Sequence, residues 1–128
     1  GLYYATSTDN GKTFAPRRLL DPQQKLGKRA HTVGLADGSV FVAWDDMDGK
    51  TFSSWGVLDM QKGLLRKSER QEGVAYPVAA TNGRIAVIAA MRSATHEIVT
   101  YVENLISTAK PNSSANSSAN SSANSSVR

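Results

Sequence analysis

Apolar and polar positions alternate in short runs along most of this chain, and polar turns rich in glycine separate the runs. In Val40 to Trp44, an extended backbone sets Val40, Val42 and Trp44 on one face and Phe41 and Ala43 on the other. Both faces are apolar, the pattern of a strand buried between neighbouring sheets. Asp45 to Lys50 reads as a polar turn and Thr51 to Leu58 as a third strand. A turn around Gln61-Lys62-Gly63 then leads to a short fourth strand. The same order returns downstream: Ile85 to Ala90, a turn at Ser93 to His96, a strand over Glu97 to Val102, and a short fourth near Leu105-Ile106. Upstream, Leu2 to Thr6 reads as a strand that turns through residues 7 to 13 and comes back from Phe14 onward. Short strands joined by hairpins throughout predict an all-β chain.

The units repeat. Ala30 to Trp44 aligns with Ala75 to Ala89, so that His31 meets Tyr76, Val33 meets Val78, Gly38 meets Gly83, Val40 meets Ile85 and Val42 meets Val87. Asp37-Gly38 and Asn82-Gly83 are both expected to be two-residue hairpin turns, the strongest short-range hairpin signal. Four short strands in about 45 residues is the period of a propeller blade. The expected organisation is the end of one blade over 1–20, a second over 28–68 and a third over 73–109, followed by a low-complexity tail over 110–128. In that tail Asn-Ser-Ser-Ala recurs from Asn112, and nothing in it favours burial.

Residues 7 to 14, Ser-Thr-Asp-Asn-Gly-Lys-Thr-Phe, narrow the family. Asp9 offers an acceptor to nearby backbone amides, Gly11 is free to take positive φ, Ser7 and Thr13 add hydroxyls, and Phe14 is expected to plug the turn from beneath. Ser7, Asp9, Gly11, Thr13 and Phe14 fit S-x-D-x-G-x-T-F, which resembles the Asp-box, or BNR repeat, of sialidases and related β-propellers. The turn at Asp59 to Gly63 resembles a decayed copy. The resemblance implies part of a six-bladed propeller of four-stranded antiparallel blades, exported to the periplasm or beyond the cell. It also implies an Asp-box that is structural and faces away from the active site.

Composition adds a few exclusions. Fifteen Lys and Arg stand against eleven Asp and Glu, a formal charge of +4, and cysteine is absent. That rules out a disulfide framework, thiolate metal ligation and a cysteine nucleophile. The basic residues are spread along the chain without interleaved aromatics, against the clustering expected of a nucleic-acid surface. No apolar run has the length of a membrane span.

The family geometry directs attention to the face bearing the blade-to-blade and second-to-third-strand loops: Asp21 to Arg29, Asp45 to Lys50, Ser68 to Gly73 and Arg92 to His96. Arg29, His31, Tyr76 and Arg92 are the candidate ligand-binding residues there. Sialidases resembling this chain clamp a substrate carboxylate with three arginines, to which planar guanidinium pairing is suited. Arg92 and Arg29 are the positions that match best, while the Phe-Arg-Ile-Pro element and the catalytic aspartate of that family are missing, so no catalytic residue is assigned. Asp45-Asp46-Met47-Asp48-Gly49 has alternate carboxylates before a glycine but lacks the closing glutamate of a calcium loop, and is read as a turn. Trp44 and Trp55 sit at strand positions and are expected in the core. Neither a metal nor a cofactor is expected. The expected function is a propeller module binding a glycan or a protein on its channel face, the alternative being a fragment of an exo-sialidase. Its expected neighbours are further blades, or copies of itself joined through open edges.

Overall fold

A computed structural model describes residues 1–24 and 26–106. Every regular element in it is a strand: β1 (Tyr3–Tyr4), β2 (Arg18–Leu19), β3 (Gly27–Gly34), β4 (Val40–Met47), β5 (Thr51–Asp59), β6 (Gly63–Lys67), β7 (Gln71–Glu72), β8 (Val74–Thr81), β9 (Ile85–Arg92) and β10 (Ile98–Asn104). They form three antiparallel sheets, none of which closes on itself. The first pairs β1 with β2, the second runs β3-β4-β5-β6 with β7 also on β5, and the third runs β8-β9-β10. Leu105 and Ile106 form a bend after β10, so the expected fourth strand of the last unit is absent among the described residues. The Asn-Ser-Ser-Ala tail lies outside them.

The alternation in β4 does what its pattern implies. Phe41 and Ala43 join Trp55, Ala86, Ile88, Ala90, Val99 and Tyr101 in the core between the second and third sheets. Val42 and Trp44 point the other way, into a smaller core with Leu20 and Leu58 that Leu2 and Tyr4 cover. The middle sheet is therefore apolar on both faces because both are covered. Both tryptophans are fully buried, as their strand positions suggested. The far face of the third sheet is different: Val78, Val87 and Ile98 are 50%, 38% and 51% exposed.

The strand pairing corrects the internal alignment. Lys28 pairs with Asp45 and Ala75 with Met91, so equivalent positions lie 47 residues apart in the first strands and 46 apart in the second. A difference between the two hairpins accounts for the step from 47 to 46. The Asp37-Gly38 connection is a three-residue hairpin, with Leu35 N–H bonded to Ser39 O and Gly38 at φ 86, whereas Asn82 N–H bonds Ile85 O around Gly83-Arg84, a two-residue turn. A bulge also falls at corresponding places in β3 and β8, between Lys28 and His31 and between Ala75 and Val78. The equivalents of Val42 and Trp44 are thus Ile88 and Ala90. The partner of His31 is Val78, and that of Arg29 is Tyr76. A slip of one residue exchanges the two faces of a strand, which is why Ile88 is buried while Val87 is open.

Strand β4 also runs three residues beyond its expected end. Asp45 pairs with Ser53 and Asp46 with Phe52, and both aspartates are almost wholly buried. Only Asp48 to Lys50 forms the turn, with Gly49 at φ 71.

Candidate functional site

The sequence motif and the candidate site occupy opposite ends of the sheets. In the 7–13 turn, Gly11 N–H donates to Ser7 Oγ at 2.8 Å and Ser7 Oγ–H to Asp9 Oδ1 at 2.8 Å. Thr13 donates its N–H to Asp9 Oδ1 at 2.9 Å and its hydroxyl to Asp9 Oδ2 at 2.5 Å. The Thr13 hydroxyl and amide, then the Ser7 hydroxyl, hold the Asp9 carboxyl down at about 2. Phe14 does not plug this turn but is 63% exposed, because the two-stranded first sheet offers it no facing layer. Arg18 donates to Gln61 O at 2.8 Å, which sets this end beside the β5–β6 turn and the Val40 end of β4. The Met47 end of β4 lies at the other extreme. There Gly73 N–H bonds Thr51 O and Ser93 N–H bonds Gly73 O, both at 2.8 Å, so the 48–50, 68–73 and 93–96 connections gather on one edge.

Asp45 organises that edge. The bulge in β3 gives Arg29 a φ of 45, and that in β8 gives Tyr76 a φ of 55 and frees its N–H from the ladder. Positive φ is unusual for a bulky side chain and needs outside support. Asp45 Oδ2 supplies it, accepting Arg29 Nε–H at 3.0 Å, Arg29 Nη2–H at 2.8 Å and Tyr76 N–H at 2.9 Å. The hydrogen bond to Asp45 raises Arg29 above its ordinary value, against a smaller opposing effect of burial. The guanidinium carbon also lies 4.1 Å from the centre of the Tyr76 ring, a cation–π arrangement. Tyr76 itself is 54% exposed.

His31 stands one turn of the pleat away and acts between the sheets: its Nδ1 accepts Ala79 N–H at 3.1 Å. Arg92 ends β9 with its side chain exposed, outside the Asp45 cluster. Of the four sequence candidates, Arg29 and Tyr76 are brought into contact, His31 braces the sheets from the next positions, and Arg92 stands apart.

A cleft of about 480 Å³ opens on the other side of the same edge. Asp46 points into it and binds Arg70 Nη2 at 2.5 Å, while the Arg70 guanidinium sits 3.7 Å from the centre of the Phe52 ring. Asp21 caps the turn that follows it, accepting Gln23 N–H at 2.9 Å, and holds Lys67 Nζ at 2.8 Å. Gln23 and Gln24 of that turn line the cleft, as does Leu26. Three buried polar atoms around it have no hydrogen-bond partner: Gln24 Oε1, Asp46 Oδ2 and Arg70 Nε. The sequence set Asp21, Gln23, Gln24, Asp46 and Arg70 in loops of the candidate face but marked none of them as a binding residue, since Asp46 and Arg70 lie 24 positions apart on separate elements. The available signal was an apolar strand continuing into two aspartates, a place where buried carboxylates demand partners.

Among the described residues no group of three His, Asp or Glu side chains converges to hold a metal ion. No protein-family model matches the chain, and no curated protein or solved structure is significantly similar to it.

Proposed function

We propose that this chain is part of a sialidase-like Asp-box β-propeller, acting outside the cytoplasm, and that it binds a glycan or a protein ligand on the edge carrying Arg29, Asp45 and Tyr76. The observation that carries the binding reading is the Asp45 carboxylate, which draws a guanidinium from one sheet and a bulged tyrosine from the next onto one surface. A fixed cation beside a half-exposed aromatic ring suits recognition, because neither group must be ordered when a ligand arrives. The propeller reading draws on the sheet stacking. The third sheet turns Ile88 and Ala90 towards the second as the second turns Val42 and Trp44 towards the first, and its far face stays apolar and open.

The exo-sialidase alternative has less behind it. A carboxylate clamp needs arginines that converge and are free to pair with substrate, whereas of the two clamp candidates Arg29 is engaged by Asp45 and Arg92 stands outside the Asp45 cluster.

The test is binding of the full chain to defined glycan and peptide panels, with Tyr76→Ala as the probe of the edge. Binding that weakens at least tenfold in Tyr76→Ala is expected. A ligand whose affinity ignores Tyr76 and Arg29 excludes this surface, and release of a fluorogenic aglycone from a sialoside would reinstate the enzyme.

A further inference from the structure

We infer that His31 is a positioning residue for the Arg29–Tyr76 edge and a proton switch on it: neutral, it holds the two bulges in place, and protonated, it lets them go. What the switch does to a ligand rests on the reading of that edge as a binding face.

The bond at stake joins the two sheets directly beyond their bulges. In β3 the ladder resumes at His31, which pairs with Ala43, and in β8 it resumes at Val78, one residue before Ala79. Strand β8 ends the third sheet, so an N–H turned away from β9 has no strand of that sheet to meet, and the Ala79 N–H donates to His31 Nδ1 at 3.1 Å. Arg29 and Tyr76, at φ 45 and 55, sit inside the bulges just before those positions. Asp45 bridges the bulges themselves, while the His31–Ala79 bond sets the strands that carry them at one separation.

An amide N–H only donates, so this bond requires a lone pair on Nδ1, and the neutral ring must carry its proton on Nε2. A proton added to Nδ1 sets donor against donor. The bond is then lost, and the partly buried Ala79 amide is left without a partner. Nor is the new charge compensated. The charged and titratable groups on the strands packed there are Lys28 and Arg29 on β3 itself, Asp45 and Asp46 on β4, and Tyr76 on β8. Asp45 is taken by Arg29 and Asp46 by Arg70, and among the described residues no carboxylate pairs with His31. The sheets stay joined by their shared core and by the Trp55–Glu103 bond, so the release is confined to the edge. Imidazole changes its charge between about pH 5 and 8, so the edge is firm at the upper end of that range and loosened at the lower.

The experiment is ¹H–¹⁵N NMR of the full chain across that range without any ligand, following the His31 ring nitrogens, the Tyr76 and Ala79 amides and the Arg29 Nε–H. At the upper end His31 should show a bare Nδ1 and a protonated Nε2. As the ring takes its second proton, the Tyr76 amide and the Arg29 Nε–H should move on the same curve. The exchange protection of the Tyr76 and Ala79 amides, corrected for the intrinsic rate, should fall at least tenfold. The Trp55 indole signal should stay in place, which separates release of the edge from acid unfolding. His31→Asn keeps an acceptor at the position of Nδ1 and has no proton to gain, so it should hold the edge protected throughout. His31→Ala should leave the edge loosened at every pH, and His96→Gln, which removes the other histidine, should preserve the wild-type step. The inference is overturned if Tyr76 and Arg29 are unmoved while His31 titrates, if His31 stays neutral through the whole range, or if the step follows His96. No ligand enters the measurement, so a failed switch leaves the binding reading standing, and a failed binding panel leaves the switch standing.

Discussion

Trp55 in the middle sheet donates its indole N–H to Glu103 Oε1 in the third sheet at 2.9 Å, across a boundary where both residues are buried. The Trp55 ring also leans on Tyr101, with centroids 4.7 Å apart and planes at 47°. A buried carboxylate is costly to keep, and a hydrogen bond to it is worth more than one between neutral groups. This pair therefore ties the second sheet to the third at one defined offset. Trp55→Phe keeps most of the ring packing and removes the donor, so unfolding in urea should show a loss of about 1.5–3 kcal/mol. Trp44 remains as the fluorescent probe. A loss no larger than about 0.5 kcal/mol, the level of an ordinary surface substitution, would mean the bond does not hold the sheets.

Arg29 and Asp45 form the second load across the chain. Asp45 is fully buried, whereas the Arg29 side chain keeps 42% of its exposure, so the two truncations are unequal. Arg29→Ala strands a buried carboxylate and should cost about 3 kcal/mol. Asp45→Ala leaves the guanidinium able to turn to water and should cost less through the ion pair, with a further cost from the unsatisfied Tyr76 N–H. Denaturation of both single variants and the double variant checks this. The double loss should fall clearly short of the sum, because the partners share one interaction.

The Asp9 turn supplies a pH dependence with a definite sign. The carboxyl is lowered from 3.8 to about 2 by the hydroxyl and amide of Thr13 and the hydroxyl of Ser7. A depressed carboxyl contributes order above its unfolded value and loses it as pH falls through its folded value. The 7–13 hairpin should therefore keep its amide shifts down to about pH 4 and lose them as Asp9 protonates near 2. Asp9→Asn should remove this step. A midpoint near the ordinary carboxyl value in the wild-type chain would contradict the hydrogen bonding.

The open face of the third sheet makes a prediction about association. Val78, Val87 and Ile98 form an exposed apolar surface where the equivalent surface of the second sheet is covered. Such faces drive contact between chains. Sedimentation should show concentration-dependent association of the isolated chain, and Val87→Lys should shift it towards monomer with little change in stability. A wild-type chain that is strictly monomeric would argue against a covering sheet.

Local rules carried much of the architecture. Two apolar faces on Val40 to Trp44 already required a strand with a layer on each side, because a period of two leaves no other way to bury both sets. The hydroxyl, carboxylate and glycine spacing of residues 7 to 13 likewise determined a self-bonded turn, since all its partners lie within a few residues. The amino-acid sequence also set Arg29 in the loop before one first strand and Tyr76 at the start of the next. Tertiary structure decided what local patterns do not encode. One residue of difference between two hairpin loops, with a bulge in each first strand, set which apolar residues face inward. Asp45 and Asp46 looked like turn residues because a carboxylate in isolation favours water. Only the arrival of Arg29 and Arg70 from other elements made their burial stable, and with it the edge that carries the proposed function.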